Sequence, residues 1–573
     1  MLEATGAQII VELLKRQGIT KVAGLPGGMI LPLYDELAKS SIEHILVRHE
    51  QAAGFIAQGM ARTTGKAAVC LATSGPGAMN LLTAIADARS DSIPLVAITG
   101  QVTTNLIGTD AFQEADTFGL SFPITKHSVM VKSAKELLEV IPNAFTLAES
   151  DRPGPVLIDV PRDVQLEKIT FEKWPEIGEK QHRAAKRYRT EGESLQKSIE
   201  KIGNLLQKSE NPILFIGGGC NTLQGAAALN SFLDSFPIPT VSTLMGVSVL
   251  PKTHPCFVGM LGIHGRLSAN YGIHHSDLII ALGVRFDDRA TCEVSKFAPS
   301  AKIVHIDIDA AEINKIFHTE CSLVSDVESV LPVLQEYLRE IHFKLSAKIK
   351  KWSELLSAKR KEDENAEKTR IPCKIMEAVS QALISQGYDK ESVIATTDVG
   401  QHQMWAAQYF PLMAPCQFLT SGSLGTMGFG LPSAIGASLS FPEKRVVCFT
   451  GDGSIMMNLQ ELATIAENNL DITVVLLDNG ALGMVRQQQE LMFDKNYSAS
   501  IFKKTSDFIT ISEGFGIPAK DVALENLDDA NWKEFAFPKK RTGPRFVRIP
   551  VPQLEKVFPF VPGNKGNTEP ITE

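Results

Sequence analysis

RVVCFTGDGSIMMNLQELATIAENNLDITVVLLDNGALGMV, residues 445–485, decides the fold class. One apolar run ends at Gly451-Asp452-Gly453 and a second ends at Asp478-Asn479. Between them Leu459, Leu462, Ala463 and Ala466 recur at helical spacing, so the unit reads strand, helix, strand. Such a crossover makes the two strands parallel. Both polar ends then lie on one edge of a sheet, and Asp452 stands beside Asn479. A carboxylate and an amide oxygen at the mouth of a glycine turn suit a hard divalent cation that keeps phosphate ligands, which means Mg2+. Gly453 and Ser454 are expected to open the following helix, whose N-terminal amides would favour a diphosphate. A lone GDG is more often a mere turn after a strand; the strand–helix–strand frame and Asn479 make it a site.

The same alternation extends through the chain and predicts an α/β protein of three domains, each a mainly parallel sheet flanked by helices. Near the start, Ala7, Ile10, Val11 and Leu14 mark a helix that stops at Gly18, and VAGLP (22–26) reads as a buried strand. ILPLYDELA, HILVR, AAGFIAQGMAR, AAVCLA, MNLLTAIADA and PLVAITG continue the pattern. A second block runs through PILFIGGG, PTVSTLMG, DLIIALGVRFDD and KIVHIDID, strands that end in glycine or polar residues as in nucleotide-sized binding domains. A third holds VIATTDVG, KRVVCFTGDG, ITVVLLDNG and PRFVRI. The expected division is 1–170, 190–345 and 370–550, with 551–573 as a surface arm or cap. The charged stretches at Lys173–Lys197 and at KRKEDENAEKTR (359–370) are expected as linkers.

A chain of 573 residues is too long for one core, which fits three units. With 44% apolar and 21% charged residues it has the composition of a globular protein. A net charge of −8 argues against nucleic acid or an anionic membrane as partner and favours a small-molecule substrate. The eight cysteines are scattered, with no CxxC pair and no metal-ligand spacing, and read as reduced thiols. No basic start precedes an apolar run, and no segment reaches membrane-spanning length. A cytoplasmic location is expected.

In HILVRHEQAAGFIAQGMAR (44–62) a strand ends at His49-Glu50 and a helix begins at once, placing Glu50 at a strand's carboxyl end against an apolar helix. Such a glutamate is ordinarily a cap or a solvated charge. GDG followed some two dozen residues later by N, however, resembles the thiamine-diphosphate enzymes. That resemblance implies that Asp452, Asn479 and the carbonyl of Ala481 bind Mg2+. It also implies that Glu50 faces N1′ of the cofactor's aminopyrimidine, where an apolar surround would help it share a proton. In this family the glutamate and the diphosphate site come from two subunits, so a homodimer or tetramer is expected.

Longer strings narrow the likeness: PGGMILPLYDEL, SGPGAMN, IGTDAFQE, PITKHS, RPGPVLID, GMLGIHG, GVRFDDRA, DVGQHQMW, SGSLGTMGFGLP and GDGSIMMN. Together they resemble acetolactate synthase large subunits of the isozyme I type along essentially the whole chain. The resemblance implies that pyruvate is decarboxylated on thiamine diphosphate and its two-carbon remainder joined to a second 2-keto acid. Pyruvate as acceptor gives 2-acetolactate and 2-oxobutyrate gives 2-aceto-2-hydroxybutyrate, the first common step of valine, leucine and isoleucine biosynthesis. It implies that Thr73, Pro76, Asn80, Val399, Gly400, Gln401, His402, Gly425, Met427, Gly451, Gly453, Ser454, Leu482, Gly483 and Met484 line the cofactor, with Met427 as its apolar prop. Arg289 would recognise the substrate carboxylate, its bland alternative being a surface ion pair with Asp287 or Asp288. Phe112 and Gln113 would line the substrate pocket.

The middle block resembles the family's FAD-binding domain. The likeness implies flavin contacts at Arg152, Gly218, Thr243, Leu244, Met245, Leu261, Gly262, His264, Gly283, Arg285, Asp287, Asp307, Ile308, Asp326 and Val327. The reaction has no redox step, so that FAD would be structural. A separate small regulatory subunit is also implied. Gln488 stands where many members carry the tryptophan linked to preferring 2-oxobutyrate, Arg162 replaces a lysine, Ile263 a pocket methionine, and Met29 a small residue. Competing readings are a pyruvate oxidase, a simple 2-keto acid decarboxylase, or a non-catalytic paralogue.

Overall fold

The computed structural model describes residues 1–176 and 189–572. It contains three six-stranded sheets, each parallel throughout. The first orders its strands in space as Glu43–Leu46, Lys21–Gly24, Ala68–Ala72, Leu95–Gln101, Pro155–Pro161 and His127–Met130. The third runs Phe418–Leu419, Val393–Thr397, Arg445–Gly451, Ile472–Asp478, Arg545–Pro550 and Ala519–Asp521. Numbered by chain order within each sheet, both are 2-1-3-4-6-5. The middle sheet is 3-2-1-4-5-6, from Phe257–Met260 through Thr240–Ser242, Pro212–Ile216, Leu278–Leu282 and Lys302–Asp307 to Cys321–Val324. That is the order of doubly wound dinucleotide-binding sheets, with the reversal between its first and fourth strands.

The first and third sheets face each other through one helix pair. The helices Glu50–Thr64 and Gly430–Ser440 each follow the second strand of their sheet, and glycine lets them touch. A Cβ on Gly59 would lie 2.2 Å from the carbonyl oxygen of Ser433, and one on Gly436 2.0 Å from that of Ile56. Around this seam Phe55, Ile56, Ala57, Phe429, Leu431 and Ala434 join both sheets in a single apolar core. Burying such surface is worth roughly 25 cal/mol per Å2, so the seam binds the two units together.

Of the two expected linkers, the first is described only in part and the second differs from its reading. Residues 177–188, inside the first, lie outside the described residues, whereas the end of that stretch opens the helix Gly192–Lys208. KRKEDENAEKTR closes the helix Ala347–Glu367 instead of crossing the surface. Its buried Trp352 and Leu356 pack under the middle sheet. Arg360 donates to the carbonyls of Lys252, His254 and Phe257, and Glu367 accepts from Arg266 Nη2 at 2.7 Å. A run of charge looked like solvated chain because its ionic partners lie far away in sequence. The tail also proves to be a strap: Val557 and Val561 are fully buried, and Val561 donates its N–H to Ile263 O at 2.9 Å. Among the described residues no helix is long and apolar enough to cross a membrane.

Candidate active site

Register sets the metal-type half of the site. The strands Arg445–Gly451 and Ile472–Asp478 pair in parallel with Gly451 opposite Leu477, so the residues that follow them emerge together. Asp452 is buried, and its Oδ2 accepts from Gly480 N at 2.7 Å while Oδ1 accepts from Gly453 N at 3.1 Å. Burial, and then the charge of Asp478 beside it, raise Asp452 above the ordinary carboxylate range. A bound cation reverses that penalty. Arg548 Nε pairs with Asp478 at 2.7 Å and offsets the second carboxylate. Asn479 Nδ2 donates to Gln401 Oε1 at 2.9 Å, which leaves its Oδ1 turned to the Ala481 N–H at 3.1 Å. Gly483 leaves room for this amide pair, since a Cβ there would sit 2.1 Å from Gln401 Oε1 and displace it. Gly451 likewise backs onto His402, whose ring burial pushes down to about 3 and so keeps neutral.

One expectation fails at this edge. No long helix opens at Gly453-Ser454; the chain makes two 3-10 turns, Ile455–Met457 and Leu459–Glu461, before the six-residue helix Leu462–Glu467. Asn458 stands at the break, its side chain donating to Gly428 O at 2.8 Å and to Gln51 Oε1 at 3.1 Å. Leu482 and Met484 sit partly buried at the start of the next helix, Gly483–Met492, and Gln488 is exposed on it.

The other half lies at the first sheet. Glu50 is the first residue of its helix, capped by His49, and is only 7% exposed. Asn80 Nδ2 donates to Glu50 Oε2 at 2.9 Å. Nearby, Thr73 Oγ1 and Ser74 Oγ are buried with no hydrogen-bond partner among the described residues. Buried hydroxyls are rarely left so, and these two are free to bond a group outside the chain. Gly75, at φ +59°, turns the strand into the helix Pro76–Asp91 and packs against Gln113, whose own φ is +61°. Phe112 beside it is 82% exposed. Exposed apolar side chains cluster near both halves: Phe118, Leu120 and Phe122 on one, Met456 and Met457 on the other.

The remaining cofactor-type residues gather on two loops. Val399, Gly400, Gln401 and His402 follow the strand Val393–Thr397; Gly400 has a φ of +156°, and a Cβ there would meet the His402 ring. Gly425 and Met427 stand on a loop without regular structure, at the end of which Gly428 N donates to the buried Asp398 Oδ1 at 2.6 Å. Asp398 was not singled out in sequence; burial pushes it up to about 6. Also unforeseen were Asp87 and Asp91, spaced four apart like solvated helix charges, whose burial only the fold reveals.

The middle sheet gathers its expected residues at the reversal of strand order. Gly217, Gly218 and Gly219 follow its first strand and interlock with Gly283 after its fourth, with a Cβ on Gly219 falling 2.7 Å from Gly283 Cα. Thr243 caps the turn Leu244–Gly246, with Leu244 and Met245 half-buried upon it. Leu261 and His264 are buried, and Gly262, at φ +111°, lies against the carbonyl of Arg289. His264 Nδ1 lies 3.1 Å from Pro559 O in the strap. Asp307, raised to about 6 by burial, holds the N–H of Asp309, and Ile308 is half-buried between them. Asp326 is the cap of the helix that Val327 opens, and Asp287 caps a turn containing Arg289. Arg152 reaches from the first unit to Asp309 and Glu312, and Arg285 reaches back to Ser90 O. Arg289 is two-thirds exposed and pairs with Asp288. Among the described residues no three His, Cys, Asp or Glu side chains converge as a metal cage, so a cation beside Asp452 would complete its shell with amide, backbone, water or phosphate oxygens.

The chain matches three families in sequence: the N-terminal TPP binding domain of thiamine pyrophosphate enzymes over 4–120, their central domain over 199–334, and their C-terminal TPP binding domain over 398–549. It is 46% identical to the acetolactate synthase isozyme 1 large subunit of Escherichia coli (strain K12), covering 99% of this chain and 98% of that protein. The chain belongs to the acetolactate synthase large-subunit family. Isozyme 2 of the same bacterium is 42% identical over 98% of each chain. Acetolactate synthase 2, chloroplastic, of Nicotiana tabacum is 40% identical over 99% of this chain and 85% of that protein. Glu50 falls within the matched N-terminal domain, and Asp452 and Asn479 fall within the C-terminal one.

Proposed function

We propose that this protein is the catalytic subunit of an acetolactate synthase, converting two pyruvates into 2-acetolactate and CO2, or pyruvate and 2-oxobutyrate into 2-aceto-2-hydroxybutyrate and CO2. The observation that carries the reading is a buried Glu50 on one domain, and Asp452 and Asn479 at one sheet edge of another, in a chain of this family. Bound thiamine diphosphate supplies the carbon nucleophile and the electron sink that the side chains lack. Asp452, Asn479 and the Ala481 carbonyl fit Mg2+, as one carboxylate with neutral oxygens leaves positions for a diphosphate. Glu50 holds a proton toward the aminopyrimidine N1′, steadied by Asn80. The unpaired Thr73 and Ser74 hydroxyls offer that ring further contacts, and Met427 props it from the loop.

Arg289 exchanges Asp288 for the carboxylate of the incoming keto acid, with Phe112, Gln113, Met484 and Gln488 around it. FAD fits the middle sheet, whose glycine-lined reversal of strand order suits a dinucleotide, and it holds domains together without taking part in the chemistry. The exposed apolar residues beside both half-sites are the surface a second copy would cover, in a dimer or tetramer. Like the relatives named large subunits, the chain would work with a small regulatory subunit, in the cytoplasm, on the domain division 1–170, 190–345, 370–550 and 551–573. The test is a competition assay with both keto acids, with and without FAD, while aldehyde release and oxygen uptake are followed. Acetolactate without oxygen uptake supports the reading; aldehyde as the main product, or oxygen consumption matching CO2, overturns it.

A further inference from the structure

The helix Pro76–Asp91 does two jobs at its two ends. Near its start Asn80 binds Glu50; at its finish Asp87 and Asp91 turn fully buried carboxylates toward the loop that begins at Ser421. Arg62 Nη2 lies between them, 3.3 Å from Asp87 Oδ1 and 2.9 Å from Asp91 Oδ2. One guanidinium against two carboxylates leaves a buried negative charge to be satisfied, and an unsatisfied buried charge is costly. The loop supplies the missing donors. Ser421 Oγ and Thr426 Oγ1 both donate to Asp87 Oδ2, the second at 3.0 Å. Gly422 N donates to Asp91 Oδ2 and Ser423 N to Asp91 Oδ1, each at 2.9 Å. Thr426 N closes the loop on Ser421 Oγ at 2.8 Å, and the Arg62 guanidinium lies 4.9 Å from the centre of the Phe429 ring just beyond.

The segment so held has no strand or helix of its own and carries Gly425, at φ +67°, and Met427. We propose that Asp87 and Asp91 are positioning residues of the active site: by demanding four donors from Ser421, Gly422, Ser423 and Thr426, they set where Gly425 and Met427 meet the cofactor. The inference rests on the assignment of those two residues to the cofactor under the proposed function.

Calorimetric titration of thiamine diphosphate into the cofactor-free full chain, with Mg2+ present, tests it alongside thermal melts. Asp87→Asn is expected to weaken binding about tenfold or more, since hydrogen bonds to charged groups are the strong ones. Thr426→Val, a near-isosteric change on the loop side, is expected to weaken it several-fold. Because both act through one contact, the double variant should be no weaker than Asp87→Asn alone. Unchanged affinity with a lowered melting temperature would show a purely structural role and overturn the proposal, as would losses that multiply in the double variant. If Asp87→Asn does not fold, Thr426→Val decides by itself. Met427→Ala separates the levels: no effect of it on cofactor affinity removes the underlying assignment, whereas an effect there with none from Asp87→Asn sinks only the positioning claim.

Discussion

In the first sheet the third strand runs out into TSGPGAMN, Thr73–Asn80; in the third sheet the corresponding strand runs out into TGDGSIMMN, Thr450–Asn458. Both turns open on threonine, pass through glycines and end in Met-Asn, on sheets of the same strand order. Their equipment differs. The first turn continues into a full helix of sixteen residues and its carboxylate, Glu50, comes from the preceding helix. The third carries its carboxylate, Asp452, in the turn itself and breaks into 3-10 structure. Under the proposed function, one scaffold is used once to hold a proton and once to hold charge.

That contrast predicts unequal failures. Asp452→Ala removes the one carboxylate of the cation site, so we expect turnover below detection and no thiamine diphosphate binding in calorimetry even with excess Mg2+. Chelating Mg2+ from the unaltered enzyme should reproduce both losses. Binding that survives Asp452→Ala at near-normal strength would break the division of labour at its stronger end.

Glu50→Gln should behave otherwise. It removes the group that holds the proton while leaving the diphosphate half intact. Turnover is expected to fall by roughly 100-fold to 10,000-fold, the range of a positioned acid–base group, with cofactor affinity changed only a few-fold. Should affinity collapse together with turnover, the two halves would not be specialised as described.

A smaller effect probes the seam between the halves. Gly436→Ala forces a Cβ to within 2.0 Å of the Ile56 carbonyl, a backbone atom that has no room to retreat. Overpacking of this kind costs about 1–3 kcal/mol, so the melting temperature should drop by several degrees while cofactor chemistry in the folded fraction persists. An unchanged melting temperature would mean that the two sheets are free to adjust and are not held by close helix contact.

Much of this is legible in the amino-acid sequence, for a physical reason. Strand runs such as ITVVLLD and RVVCFT are buried on both faces and therefore continuous in sequence, and a parallel crossover forces Asp452 and Asn479 to one edge. What escaped was set by distant partners. Asp87 and Asp91 carry the i, i+4 spacing of solvated charges, and only Arg62 and the loop at Ser421 reveal them as buried. The helix through KRKEDENAEKTR is fixed by carbonyls a hundred residues upstream. Strands of two or three residues, Phe418–Leu419 and Ala519–Asp521, are too short to show any period. Arg289, expected to meet a substrate, pairs with its neighbour Asp288.

The finest distinction lies between the two asparagines that close the matching turns. Asn80 donates to a carboxylate, Glu50 Oε2, at 2.9 Å, while Asn458, buried, donates to the neutral oxygens of Gly428 at 2.8 Å and Gln51 at 3.1 Å. Losing the first leaves Glu50 less constrained, so Asn80→Ala should lower kcat by about tenfold, the worth of one hydrogen bond to a charged group, and kcat should fall by more than stability does. Losing the second strands a buried carbonyl, so Asn458→Ala should cost about 1–3 kcal/mol in unfolding free energy and lower kcat less than Asn80→Ala does. If the two substitutions gave the same pattern of kcat and stability, the likeness of the turns would extend to their roles, and the asymmetry would reside in Glu50 and Asp452 alone.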